Sequence, residues 1–187
     1  MKTAKWVMLV ERFANLFELI GILAVLLMAF VFEFALNELP CPLCLLQRIG
    51  FVAIAFGFLL NLRFGFRPSH YSIVLISALF TSFVALRQIS LHTLPDTGGY
   101  GSPIFGLHLY TWSFIIAMAI VITTTLLLGI DRQYKATIRN NKAWRHWINI
   151  LFAITIFVIT ANIISVVLQC GFSMCPDNPT GYALLIR

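Results

Sequence analysis

Five stretches of this chain run for about 20 residues with hardly a charge, the length an α-helix needs to cross a bilayer at about 1.5 Å rise per residue. They extend from near Leu16 to Leu36, from Cys44 to about Leu60, from Tyr71 to Ser90, from Leu109 to Ile130 and from Trp147 to Leu168. Backbone inside lipid must satisfy its own hydrogen bonds, so each stretch is read as a helix, including the β-branched run ILFAITIFVIT at 150–160. Composition agrees: 60% of the 187 residues are hydrophobic and 11% are charged, against about 25% charged in a soluble domain. That excludes a soluble globular enzyme, a disordered chain and a collagen-like repeat. No hydrophilic stretch is long enough to add a soluble domain. The expected fold is a single all-α polytopic membrane bundle over 1–187.

The connections give the orientation. Lys2, Lys5 and Arg12 precede the first span, Arg63 and Arg67 lie between the second and third, and Arg132, Lys135, Arg139, Lys142 and Arg145 lie between the fourth and fifth. The alternate connections, 37–43 and 91–108, contain no Lys or Arg, and the tail 169–187 has only Arg187. The positive-inside rule then places the N-terminus in the cytoplasm and the C-terminus outside. The formal charge of +6 is read as this topology signal and as attraction to anionic headgroups, not as nucleic-acid binding.

Lys2 and Lys5 before an apolar run resemble a signal peptide, but Glu11 and Arg12 interrupt the run and no small-residue cleavage site follows. The segment is read as uncleaved. Trp6, Leu9, Val10, Phe13, Leu16 and Phe17 share one helical face, with Lys5, Glu11, Arg12 and Asn15 on the other. The expectation is an interfacial amphipathic helix over 1–15, ahead of a four-helix core at 16–130. A fifth span at 147–168 and an outer tail at 169–187 follow.

All four cysteines map to the outer face under this topology, in two close pairs, Cys41-Pro42-Leu43-Cys44 and Cys170-Gly171-Phe172-Ser173-Met174-Cys175. Outside a bacterial-type inner membrane the environment is oxidising, so disulfides form there. A two-residue gap closes a small ring of the redox-active kind. Cys44 opens the second span, and a helix N-terminus favours a thiolate. Two other readings stand: CxxC spacing is also zinc-like, if the two pairs meet, and either pair can be a structural bridge. The wider-spaced tail pair reads as a redox shuttle ahead of a structural staple.

Arg48 lies one helical turn below Cys44 on the same face. It marks a site, or it snorkels to the interface. His92 ends the third span with Gln88 four residues earlier on the same face, and Gln47 adjoins Arg48 but points away from it. Arg87 and Glu33 offer each other an ion pair. His108, Tyr110 and Trp112 open the fourth span, where an aromatic belt is expected. Two electrons leaving a dithiol need an acceptor, and the sequence holds no haem, flavin or iron–sulfur motif. A quinone needs only an apolar slot and donors for its carbonyl oxygens, and Arg48 and His92 suit the latter role.

At this point the chain resembles the disulfide bond formation protein B (DsbB) family of inner-membrane thiol:quinone oxidoreductases. The resemblance is carried by Cys41-Pro-Leu-Cys44 followed by Arg48, and supported by His92-Thr93 and by Phe105-Gly106-Leu107 with Trp112. It covers roughly 10–130. It implies a four-helix bundle, a bound ubiquinone or menaquinone, and a periplasmic DsbA-like thioredoxin-fold partner. It also implies that Cys44 lies nearest the quinone, with Arg48 and His92 lining the headgroup site and Gln88 beside them. Familiar members carry their second cysteine pair in the outer loop between the third and fourth spans. Here that loop has none, and a fifth span delivers Cys170 and Cys175 to the same side.

The resulting expectation is an atypical five-span oxidoreductase of the bacterial inner membrane. Electrons pass from the partner through Cys170 and Cys175, then Cys41 and Cys44, to the quinone. No metal site is assigned. The rivals are a membrane scaffold or metal-handling subunit whose outer thiols hold a soft ion, and a thiol reductase like the vitamin K epoxide reductase group, running electrons the other way. In that group the CxxC opens the last bundle helix rather than the second span.

Overall fold

A computed structural model describes residues 2–93, 98–130, 134, 142–171, 173–176 and 179–185. Arg132, Lys135 and Arg139 of the expected cytoplasmic loop, and Asp177 and Asn178 of the tail, lie outside the described residues. The elements are α1 (Lys2–Ala35), α2 (Pro42–Phe64), α3 (Pro68–Leu91), α4 (Leu109–Leu128) and α5 (Lys142–Cys170). All five are long and apolar enough to span a membrane. The described residues hold no strand beyond an isolated bridge between Ile104 and Leu107.

Helix ends follow local chemistry. α2 starts at Pro42 rather than Cys44, and α3 starts at Pro68 rather than Tyr71. Proline at a first helical position loses no bond, because that N–H has no intrahelical partner. α5 outruns its apolar stretch at both ends, so Cys170 is its last helical residue. Gly171 follows with φ 63°, a left-handed turn that ends the helix.

The N-terminal segment 2–15 is continuous with the first span in α1. Its polar residues Glu11 and Asn15 turn into the bundle. Glu11 and Asn15 are fully buried, while Trp6, Val10, Phe13 and Phe17 are exposed. With lipid as the solvent, that apolar face is the one suited to the outside.

α2 is the central helix, packed against α1, α3 and α5, with α4 beyond α3. Leu19, Ile22, Leu26, Phe51, Ile54 and Phe58 fill the α1–α2 core. Two glycines let α2 and α3 approach closely. A Cβ at Gly50 would lie 2.0 Å from Thr81 Oγ1, and one at Gly57 2.5 Å from Val74 Cγ2. α5 runs alongside α1 in the same direction. Arg12 lies over the Trp144 ring near one end, and Ser165 bonds Glu33 near the other.

All four cysteines therefore sit at one end of the bundle. There the 36–41 connection, the 92–108 loop and the tail are tied together. Tyr100 Oη donates to Leu39 O at 2.6 Å, Ser102 N donates to Glu38 at 3.1 Å, and Gln169 Nε2 donates to Pro40 O at 2.6 Å. A second polar cluster marks the opposite end. Asn15 donates to Tyr71 Oη at 2.9 Å, Asn61 donates to Asn15 at 3.0 Å, and His70 Nδ1 lies 3.1 Å from Asn61 Oδ1.

Candidate redox site

Cys41 and Cys44 form a disulfide, as do Cys170 and Cys175. Cys41 is the N-cap of α2, and its sulfur accepts from the Cys44 N–H at 3.2 Å. The orphan N–H groups and positive end of a helix dipole favour a thiolate at this position. The sequence assigns that favour to Cys44. The structure gives it first to Cys41, because α2 begins two residues earlier.

Gln88, near the end of α3, reaches both sulfurs. Its Nε2 lies 3.2 Å from Cys41 Sγ and 3.4 Å from Cys44 Sγ. Gln47 Nε2 donates to Gln88 Oε1 at 2.7 Å and so orients the amide towards the sulfurs. Gln47 thus reaches the redox pair through Gln88.

Arg48 pairs with Glu33, not Arg87 with Glu33. Arg48 Nη1 lies 2.5 Å from Glu33 Oε2, and Nη2 donates to Ala29 O at 3.1 Å. Arg87 is exposed on α3. Glu33 is buried and also accepts from Ser165 and, at 2.7 Å, from Tyr182 Oη in the tail. Burial raises the Tyr182 phenol pKa, the hydrogen bond and charge of Glu33 raise it further, and the group stays protonated and donating. A carboxylate deep in an apolar run is the signal in the sequence for Glu33, and geometry alone supplies its partners.

A cleft of about 330 Å³ opens between α1, α2 and the start of α4. Cys44, Gln47 and Arg48 line one part of it, Val25, Leu26, Phe51 and Ile116 give apolar wall, and Tyr100, Ile104 and Phe105 of the loop complete it. That size falls in the range of small-molecule sites, about 300–1,000 Å³, which are mostly apolar with a few placed donors. Two of the five N–H groups of Arg48 serve Glu33 and Ala29, which leaves donors for a ligand oxygen.

His92 is brought near this site at one remove. Its Nδ1 lies 2.8 Å from Gly98 O, and its ring stacks on Tyr110 at 5.4 Å; Tyr110 lines the cleft and stacks in turn on His108. Trp112 Nε1 donates to Ile104 O at 3.0 Å, which fixes the loop against α4.

The tail pair lies next to the first pair. Gln169, bound to Pro40, directly precedes Cys170, as Pro40 precedes Cys41. Cys170 and Cys41 are both buried, at 4% and 7% exposure, whereas Cys175 is half-buried and its neighbour Met174 is 93% exposed. Each bridge thus has an inner sulfur and a more open one.

No curated protein and no solved structure matches the chain. Residues 11–99 match the family model described as Disulfide bond formation protein DsbB. Over this stretch, which holds Cys41, Cys44, Arg48, Gln88 and His92, the chain is similar to the DsbB family.

Proposed function

We propose that the protein is a thiol:quinone oxidoreductase that reoxidises a periplasmic DsbA-like thiol oxidase. Its electrons pass through Cys170–Cys175 and Cys41–Cys44 to a membrane quinone, ubiquinone or menaquinone. The family match supports the general activity, a membrane oxidoreductase of disulfide bond formation. One observation carries the finer reading: Cys44 and Arg48 line the same apolar cleft, so a reducible ligand there meets both a thiol and a cation. The loop charges support the inner membrane with the cysteines on the periplasmic side.

The inner and open sulfurs order the exchange. A thiolate of the reduced partner attacks Cys175, the more open sulfur, and Cys170 leaves as a thiolate. Cys170 then attacks Cys41, its neighbour across the Gln169–Pro40 bond, and Cys44 is released as a thiolate facing the cleft. The second partner thiol displaces Cys175, which returns to Cys170 and frees Cys41. The partner leaves as a disulfide, the tail bridge is restored, and Cys41 and Cys44 hold the two electrons. A quinone in the cleft accepts two electrons and two protons, and the Cys41–Cys44 bridge is restored. Arg48 holds the acceptor's oxygen, and Gln88 and the α2 N-terminus hold the sulfur charge.

The test is quinone reduction by the purified protein supplied with a reduced thioredoxin-fold oxidase of the DsbA kind. Turnover that needs both partners supports the proposal. Partner oxidation with no quinone consumed refutes the acceptor, and quinol-driven reduction of the partner refutes the direction.

A further inference from the structure

Both oxygens of Glu33 are committed to protein groups. Oε2 takes Arg48 Nη1 at 2.5 Å; Oε1 takes the Ser165 hydroxyl from α5 and the Tyr182 hydroxyl from the tail. Through one carboxylate, the tail reaches the cation that lines the cleft. The division between the two oxygens matters. A carboxylate with both oxygens free takes an arginine in a bidentate fork. Here two hydroxyls occupy Oε1, and Nη2 of Arg48 bonds Ala29 O instead. The remaining guanidinium N–H groups are not drawn onto the carboxylate and stay available to the cleft.

We propose that the C-terminal tail sets the electron-acceptor site: Tyr182, through Glu33, fixes which N–H groups of Arg48 face the cleft. Tyr182 and Glu33 are then positioning residues. This rests on the reading of Arg48 as a ligand to a quinone carbonyl. The tail that carries Tyr182 also carries the second cysteine pair. It folds back on the end of α5 through Ala183 N to Gln169 O at 3.2 Å and Leu184 N to Leu168 O at 3.1 Å. A tail drawn off by its partner takes Tyr182 from Glu33. Oε1, left with the Ser165 hydroxyl alone, then competes for Arg48, and acceptor affinity falls until the tail redocks. Acceptor binding is thereby matched to the docked tail, in which the two cysteine pairs adjoin.

The experiment measures binding of a short-chain ubiquinone to the oxidised full-length protein by quenching of tryptophan fluorescence, since Trp112 lines the cleft. It also measures quinone KM with a small dithiol as donor, which bypasses the tail pair. Tyr182→Phe removes only the hydroxyl and should raise Kd and KM about 3- to 10-fold, with kcat kept within about twofold. Arg48→Lys leaves Glu33 a cation but no fork, and should weaken binding by itself. Adding Tyr182→Phe to Arg48→Lys should then weaken it no further. Unchanged binding in Tyr182→Phe, with Arg48→Lys impaired, overturns the inference and leaves the quinone site standing. Additive losses in the double variant overturn it as well, because Tyr182 would be acting apart from Arg48. Unchanged binding in Arg48→Lys refutes the reading of Arg48 and this inference together.

Discussion

Gln169 Nε2 donates to the Pro40 carbonyl at 2.6 Å and so joins the residue before Cys170 to the residue before Cys41. Both partners are buried, and the bond bridges α5 to the α1–α2 connection. It is a direct polar link between the segments that carry the two redox pairs. Gln169→Leu breaks it and leaves a buried carbonyl unpaired, which costs about 1–3 kcal/mol. If a third to two-thirds of that falls on the exchange step, partner-driven turnover drops roughly 2- to 30-fold. Turnover driven by a small dithiol acting on Cys41–Cys44 should hardly change. Parallel assays with the two donors check this, and equal losses in both would assign the bond to folding alone.

Gln88 should act on the charge of the reduced pair. Its amide donates to both sulfurs, and a hydrogen bond to a charged group is worth about 1.5–3 kcal/mol. In a protein with Cys170 and Cys175 replaced by Ser, Gln88→Leu should slow alkylation of the reduced Cys41–Cys44 pair at neutral pH by roughly tenfold. The sign follows from the thiolate being the nucleophile. The deficit is largest where the thiolate is scarce, and it closes above about pH 9.5, where both proteins are deprotonated. A deficit independent of pH would make Gln88 a packing residue.

The spans and the site were legible in the sequence to different depths. Apolar length gave the helices, because a bilayer leaves few other solutions, and Cys41-Pro42-Leu43-Cys44 with Arg48 could be placed on one helix by periodicity. Periodicity also divided residues 5–17 into two faces, but it carries no information on which face meets protein when the solvent is lipid. The partner of Glu33 was out of reach for a related reason. Arg48 and Arg87 lie on different helices, and only the packing of α1 on α2 selects Arg48. Gln169 and Tyr182 gave no signal at all, since their roles depend on where α5 ends and how the tail folds back.

The Arg48–Glu33 pair separates binding from stability. Breaking a buried ion pair from one side costs about 3–5 kcal/mol, because the other charge is left unpaired. Arg48→Ala should therefore lower thermal stability in detergent as well as raise quinone KM by roughly 10- to 150-fold, the worth of one charge-assisted hydrogen bond. Arg48→Met combined with Glu33→Gln should recover most of the stability and none of the quinone affinity. Recovery of both would make the pair structural.

Topology has its own check. With both bridges reduced, all four cysteines should react with a membrane-impermeant maleimide added from the periplasmic side, Cys175 fastest among the tail pair because it is the more open. Reporters inserted within 131–146 should read as cytoplasmic. Labelling of either pair from the cytoplasmic side only would invert the arrangement.

The tail pair is a shuttle or a staple, and single substitutions distinguish the two by what they trap. In Cys175→Ser the remaining Cys170 thiolate has no partner in the tail. If it is the shuttle's inner sulfur, it attacks Cys41 and frees Cys44, and alkylating the freed Cys44 thiol, which would otherwise re-form Cys41–Cys44, keeps the Cys170–Cys41 bridge. Peptide mapping under non-reducing conditions should find that bridge. In Cys170→Ser the outer Cys175 should instead collect the oxidised partner as a mixed disulfide. Both variants should lose partner-driven turnover while a small dithiol still reduces quinone through Cys41–Cys44. A staple behaves otherwise. A bridge across so short a loop stabilises by no more than about 3 kcal/mol, so Cys170→Ser with Cys175→Ser would fold and turn over with the partner near normally. Normal partner-driven turnover in that double variant would sink the shuttle, and Cys41–Cys44 would then exchange with the partner directly, despite Cys41 being only 7% exposed.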